Sequence, residues 1–331
     1  MCNQLAVSKN YLYTMILKSL NSYNASFKTS FASSIDTIEI LYYKGLYKQC
    51  FKLITKLKKQ IYKLEKFHLL FEVLIWERSL LSQMEDYKNY FELRTQIKDE
   101  EEALLKRMES IHKYSYAHFY SYYSYLKDDT AFRYIKEEDF KKNAAFLITP
   151  VDETQLCFQE KFSKSAGESY YYHFIKDFEK AAGSSKRMLQ LLEDNPVQIE
   201  LSPFSYLAAS LTYMLMLLQL GYYDEILLHC KKVRNLQTQL KQVKSSKLLQ
   251  NAIFNTAPSY ELAVYVTIAD VKKAVALIPE IEDGIDKFKS LMNEQHYSVW
   301  CFNVALTYFL NEDYKSALKW LNYIINETVD R

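Results

Sequence analysis

The sequence predicts an all-α protein, an α-α solenoid of about seven stacked helical hairpins. Three observations carry this expectation. Glycine and proline each occur only 5 times in 331 residues, about 1.5% against usual shares of about 7% and 5%, so the residues of tight turns and β-hairpins are scarce. Apolar residues recur at spacings of three and four, the period of a helix that buries one face. An eleven-residue pattern also returns along the chain, each time between two apolar runs of helical period.

The copies, in order, are KGLYKQCFKLI (44–54), MEDYKNYFELR (84–94), IKDFEKAAGSS (175–185), LGYYDEILLHC (220–230), IADVKKAVALI (268–278) and NEDYKSALKWL (311–321). Aligned on Tyr47, Tyr87, Phe178, Tyr223, Val271 and Tyr314, they are separated by 40, 91, 45, 48 and 43 residues. The interval of 91 predicts a degenerate copy near residue 132, in DDTAFRYIKEEDF. Each copy reads as a tight turn between two helices. Asp86, Asp177, Asp270 and Asp313 stand one residue before the aligned position, where a carboxylate accepts from the free N–H groups that open a helix. Gly45 and Gly221 stand where a helix end favours a left-handed residue. Cys50, Ala181, Ala274 and Ala317, three residues after the aligned position, are small enough for paired helices to approach closely; Tyr90 and Ile226 depart from this. Turns are therefore expected near residues 45, 85, 176, 221, 269 and 312. Residues 96–126 lack glycine and proline and should hold the longest helical stretch, up to ~46 Å at about 1.5 Å per residue. Residues 1–30 read as an atypical helical cap, and 31–331 as one continuous repeat domain.

These turns resemble the G-D-Y-x-x-A-L turn and second helix of tetratricopeptide repeats, most closely over 298–331, where ALTYFLNEDYKSALKWLNYII stands. The resemblance covers nearly the whole chain. The repeats exceed the family's 34 residues, and its repeat-ending proline is mostly missing. Only Ala305 and Ser169 supply its small residue in the first helix, where other copies have Ile38, Arg78, Met214 and Leu262. One such hairpin cannot bury its faces alone, so neighbours stack around a continuous core. The resemblance implies a concave surface made by the first helices. On it would lie Glu39, Tyr42, Tyr43, Glu72, Ser79, Gln83, Tyr170 and His173, a mixed aromatic and acidic surface suited to an extended peptide. The corresponding C-terminal positions, Leu211, Leu215, Leu218, Leu306, Phe309 and Leu310, are apolar and are expected to be buried inside a closed half, a partner or second copy being the other way to cover them.

Several function classes are disfavoured. The net charge is only +2, which gives no global attraction to nucleic acid or to anionic lipid. The five cysteines, Cys2, Cys50, Cys157, Cys230 and Cys301, are odd in number, far apart and never in a C-x-x-C pair, which points to a reducing cytoplasm. No export signal is visible near the start, and the most hydrophobic window, 206–220, reads as a buried helix. Phosphate-binding and nucleophile-elbow motifs are absent from the sequence, so neither an enzyme nor a cofactor is expected. Glu65/His68 and Glu109/His112 form two E-x-x-H pairs, which a di-iron bundle would use on facing helices, but the first pair falls in a turn. Lys48, Lys52, Lys56, Lys59 and Lys63 form a basic stripe that reads as a solvated face. YSYAHFYSYYSYL (114–126) rings a helix with aromatics, which core packing explains. The expectation is thus a non-enzymatic cytoplasmic scaffold that binds a protein or peptide on its concave surface, with a homodimer open as an assembly state. A peptide-sensing regulator and, further off, a metal-dependent helical enzyme are the alternatives.

Overall fold

The computed structural model describes all residues except 1, 24–26, 84–86, 126–136, 241–245, 293, 330 and 331. The protein is all-α, with fifteen α-helices and no strand among the described residues. Clustering of contacts separates two compact units, Met1–His112 and Lys113–Arg331. The boundary falls inside a helix and not in a linker.

The first unit holds α1 (Cys2–Tyr23), α2 (Phe27–Tyr43), α3 (Tyr47–Leu64), α4 (Phe67–Leu81) and the start of α5 (Tyr87–Tyr125). Ile38, Ile54, Leu57, Ile61, Leu70 and Leu74 are fully buried at its centre. Lys58 reaches Glu77 at 2.6 Å and Glu100 at 2.7 Å, tying α3 to α4 and α5. At 39 residues α5 is the longest helix, and it runs without a break through Ser110.

The second unit holds the end of α5 and α6 (Glu137–Ile148), α7 (Phe158–Phe174), α8 (Phe178–Glu193), α9 (Pro196–Leu201), α10 (Pro203–Leu220), α11 (Tyr223–Gln239), α12 (Lys247–Thr267), α13 (Val271–Phe288), α14 (Glu294–Leu310) and α15 (Tyr314–Val329). Helices adjacent in sequence pack pairwise, α7 with α8, α10 with α11, α12 with α13 and α14 with α15. First helices also touch one another, α7 with α10, α10 with α12 and α12 with α14. Such sequential pairing is consistent with a helical repeat. Gly167 lets α7 come close to α6, since a Cβ there would lie 2.6 Å from Leu147 Cδ1.

Every aligned residue of the recurring pattern is the first residue of a helix: Tyr47, Tyr87, Phe178, Tyr223, Val271 and Tyr314. Five of the six expected turns lie among the described residues at the expected places; the one near 85 and the degenerate copy near 132 lie outside them. The five share one geometry. Two residues before the helix, Gly45, Lys176, Gly221, Ala269 and Glu312 are left-handed, with φ from 57° to 72°. The next N–H then bonds back to the carbonyl five residues earlier, as in Asp177 to Tyr172 at 2.9 Å, Asp270 to Tyr265 at 2.9 Å and Asp313 to Tyr308 at 3.0 Å. This is the Schellman closure, which satisfies the last carbonyls of the first helix. The same aspartates accept from the first turn of the second helix, at Lys180 N, Lys273 N and Ser316 N. One short segment therefore both ends a helix and starts the next.

The small residues sit at the crossings. Cys50, Ala181, Ala274 and Ala317 are all buried, and Ser169 donates to the Ala181 carbonyl across the gap at 3.0 Å. Ile226 at the equivalent place is also fully buried. α10 is the one helix among the described residues long and apolar enough to cross a membrane; over half of it is buried against its neighbours.

Candidate functional cleft

A cleft of about 470 Å³ opens in the second unit between α10, α12 and α14. α12 explains why it is open. Along the side facing the cleft this helix carries Asn251, Asn255 and Ser259, one turn apart, with Ala252 and Thr256 beside them. These residues are too small to fill the space that leucine or phenylalanine would occupy, and their polar atoms need partners. The walls are apolar: Phe204 and Leu211 on α10, Val299 on α14, and Leu291 from the turn before α14. All four are partly exposed, Val299 at 48%.

The polar floor has a fixed direction. Trp300 Nε1 donates to Asn255 Oδ1 at 2.7 Å, and an indole nitrogen is only ever a donor. Asn255 therefore turns its oxygen to Trp300 and donates through Nδ2 to Asn251 Oδ1 at 2.9 Å. That leaves the Asn251 amide nitrogen as a donor at the floor of the cleft. Trp300 is held in place by stacking on Phe254, with ring centroids 4.8 Å apart. His296 lines the rim.

Tyr42 packs on Trp76 of α4 at 5.6 Å, and Tyr43 meets both rings edge-on, so α2 and α4 build an aromatic cluster in the first unit. Tyr43 is 74% exposed. Gln83 accepts from the Tyr47 hydroxyl at 3.4 Å, and Glu39 and Glu72 are exposed. Trp76 was not among the expected residues, although its place one turn before Leu80 on the same apolar run as Leu69 and Val73 was visible. Ser79 turns back on its own helix and donates to the Ile75 carbonyl.

Two expectations are corrected. Tyr170 is not a groove residue: it is buried, stacks against His118, meets the Tyr122 ring at 5.2 Å and shares a hydrogen bond with Thr212 of α10 at 2.9 Å. α7 is covered on that face by α5 and α10, which no single-helix pattern reveals. His173, half-buried, lies edge-on to Phe178 at the turn. The second correction concerns the C-terminal half, which is open. Leu211, Phe309 and Leu310 are exposed and Leu215, Leu218 and Leu306 only half-buried; beside Leu211 the small residues of α12 leave space unfilled.

The other titratable features are structural in their geometry. Lys48, Lys52, Lys56, Lys59 and Lys63 are all exposed, as a solvated face requires. Glu65 is the left-handed residue of the turn before α4, so it does not share a helix with His68, whereas Glu109 and His112 both lie on α5. Among the described residues no cluster of three or more metal-ligating side chains occurs. His229 of α11 contacts Ser210 Oγ at 3.0 Å, but that hydroxyl gives its proton to the Tyr206 carbonyl at 2.8 Å. The ring is thus the donor, and the serine is not activated as a nucleophile. Burial holds the His229 pKa down to about 4. Cys50, Cys157, Cys230 and Cys301 are buried, and burial pushes the Cys230 thiol up to about 12.

Fold and cleft together define an all-helical protein of sequentially paired antiparallel helices with an open, neutral, apolar groove. No protein-family model matches the sequence, and no curated protein matches it.

Proposed function

We propose that the chain is a tetratricopeptide-like solenoid acting as a non-enzymatic protein-interaction scaffold of the cytoplasm, and that it binds a peptide or protein segment in the cleft between α10, α12 and α14. The observation that carries the reading is the composition of that cleft. Its volume lies within the range of about 300–1,000 Å³ usual for ligand sites, its walls are apolar, and among the described residues no Asp, Glu, Lys or Arg lines it. A charged metabolite finds no counter-ion there. An extended peptide supplies what the site lacks, apolar side chains for Leu211 and Val299 and a backbone carbonyl for the Asn251 amide. Contacts between successive first helices and the one turn geometry used five times support the solenoid. The buried free thiols of Cys50 and Cys230 support a reducing compartment.

A random-peptide display library panned on the immobilised protein tests this. Enriched peptides should be apolar, and Leu211→Glu should weaken their binding at least tenfold with the melting temperature nearly unchanged, while Tyr43→Ala in the first unit leaves binding intact. No enrichment over a blank surface, or equal binding to the Leu211→Glu variant, would refute the proposal.

A further inference from the structure

α15 carries an apolar seam that is largely exposed. Tyr314, Leu318, Leu321 and Ile325 follow one another at steps of four, three and four, and they are 60%, 60%, 38% and 55% exposed. The adjoining flank, about a quarter-turn round the helix, is used normally: Ala317 and Trp320 are buried, Trp320 in the core beside α14. The seam continues onto α14, because Phe309 meets the Tyr314 ring at 5.6 Å, and Phe302, two turns back on α14, is 54% exposed.

We propose that the α14–α15 face is a homodimer interface, occupied by the same face of a second copy. Spacing and area argue for a copy in particular. Steps of four and three are those of a seam that packs against another helix, and this one is self-complementary. Around a two-fold axis midway along it, with the two α15 helices antiparallel, Tyr314 faces Ile325 of the copy and Leu318 faces Leu321 of the copy. The contact is isologous and closes at two, so it does not propagate into a fibre. Phe302, Phe309 and the four seam residues together expose roughly 700 Å² at the usual size of such residues. That exceeds the ~300–600 Å² of the largest patch on a typical monomer and is close to the ~800 Å² per partner of a standard interface. Lys315, Lys319 and Asn322 follow the seam on one side and supply the polar rim that such interfaces carry. The proposal rests on residues other than those that line the peptide cleft, although both surfaces use α14.

Light scattering and sedimentation of the full chain across roughly 1–100 µM test it. The wild type should have the mass of two chains at the upper end, with a melting temperature that rises with concentration, and α15 amides should exchange more slowly there than at 1 µM. Leu318→Glu and, separately, Ile325→Glu should each give the mass of one chain with an unchanged far-ultraviolet spectrum. A wild type that stays monomeric at 100 µM overturns the proposal, as does a dimer that survives both substitutions. Because the wild-type concentration series decides on its own, a variant that failed to fold would not leave the question open.

Discussion

Gly284 lies within α13, and the position of its missing side chain is already occupied. A Cβ built there would stand 2.1 Å from Phe254 Cε2, 2.4 Å from Cζ and 2.6 Å from Cδ2, where carbon atoms rest at about 3.5–4.0 Å. The Phe254 ring would have to retreat by more than about 1 Å, and it has nowhere to go, since its faces meet Trp300 at 4.8 Å and Phe288 at 5.6 Å. Two effects of Gly284→Ala oppose each other. Alanine is the better helix former by about 1 kcal/mol, and overpacking a filled core costs about 1–3 kcal/mol, so the expected net is a loss of up to about 2 kcal/mol. Gly183 in α8 is the internal control, for nothing lies within 4 Å of its Cβ position. There the same substitution should stabilise by about 0.5–1 kcal/mol. Urea denaturation of both variants with equal m-values measures the difference, and comparing two Gly→Ala changes cancels most of what each does to the unfolded chain. If Gly284→Ala shifts the midpoint upward as far as Gly183→Ala does, the packing argument is wrong. Phe254→Leu in the Gly284→Ala background should recover part of the loss by vacating the space.

Tyr170→Ala should cost about 3–5 kcal/mol, as for other buried aromatics, while Tyr43→Ala should change stability by less than about 0.5 kcal/mol; equal thermal shifts would place Tyr170 at the surface after all. The His229 pKa of about 4 lies below the ordinary 6.5, so between these values the unfolded chain binds the proton more strongly and stability falls as pH drops. Between pH 7 and pH 5 this group contributes a loss of about 2 kcal/mol, which His229→Gln should remove from the stability profile; parallel wild-type and variant profiles would contradict it. Ala269 holds a φ of 57°, a region that penalises a Cβ, so Ala269→Gly should raise stability by about 0.5–1 kcal/mol, and Gly45→Ala should lower it by a similar amount. Loss of stability in Ala269→Gly would show that the turn carries no backbone strain.

Much of the fold was legible because the turns are local. An aspartate that caps a helix, a left-handed residue just before it and a small residue at the crossing act within about eight positions, so Asp177, Asp270 and Asp313 marked helix starts correctly. The unbroken α5 was equally readable, since no residue between 96 and 126 interrupts a helix. The candidate site was mostly not legible. Glu39, Tyr42 and Tyr43 were expected at the surface and Tyr43 is open, but Tyr170, placed by the same positional reasoning, is covered by helices whose contact residues lie about 40 to 50 positions away in sequence. The cleft has no mark in the sequence, because a polar stripe such as Asn251, Asn255 and Ser259 on a helix is equally a solvated face.

The sequence by itself determined the all-α class, the places of five turns between paired helices, and the small residues Cys50, Ala181, Ala274 and Ala317 that lie buried beside four of them. Those properties follow from hydrogen-bond closure at helix ends and from steric size, and both are settled by near neighbours. Only the tertiary structure decided which apolar faces are covered. Periodicity shows that a helix has an apolar face, but burial depends on the helix brought opposite it and on whether that helix presents bulk or small amides. Leu217 of α10 is buried against α11 while Leu211 of the same helix opens onto a cleft. The seam from Tyr314 to Ile325 is as apolar as any core stripe, and yet it lies largely exposed.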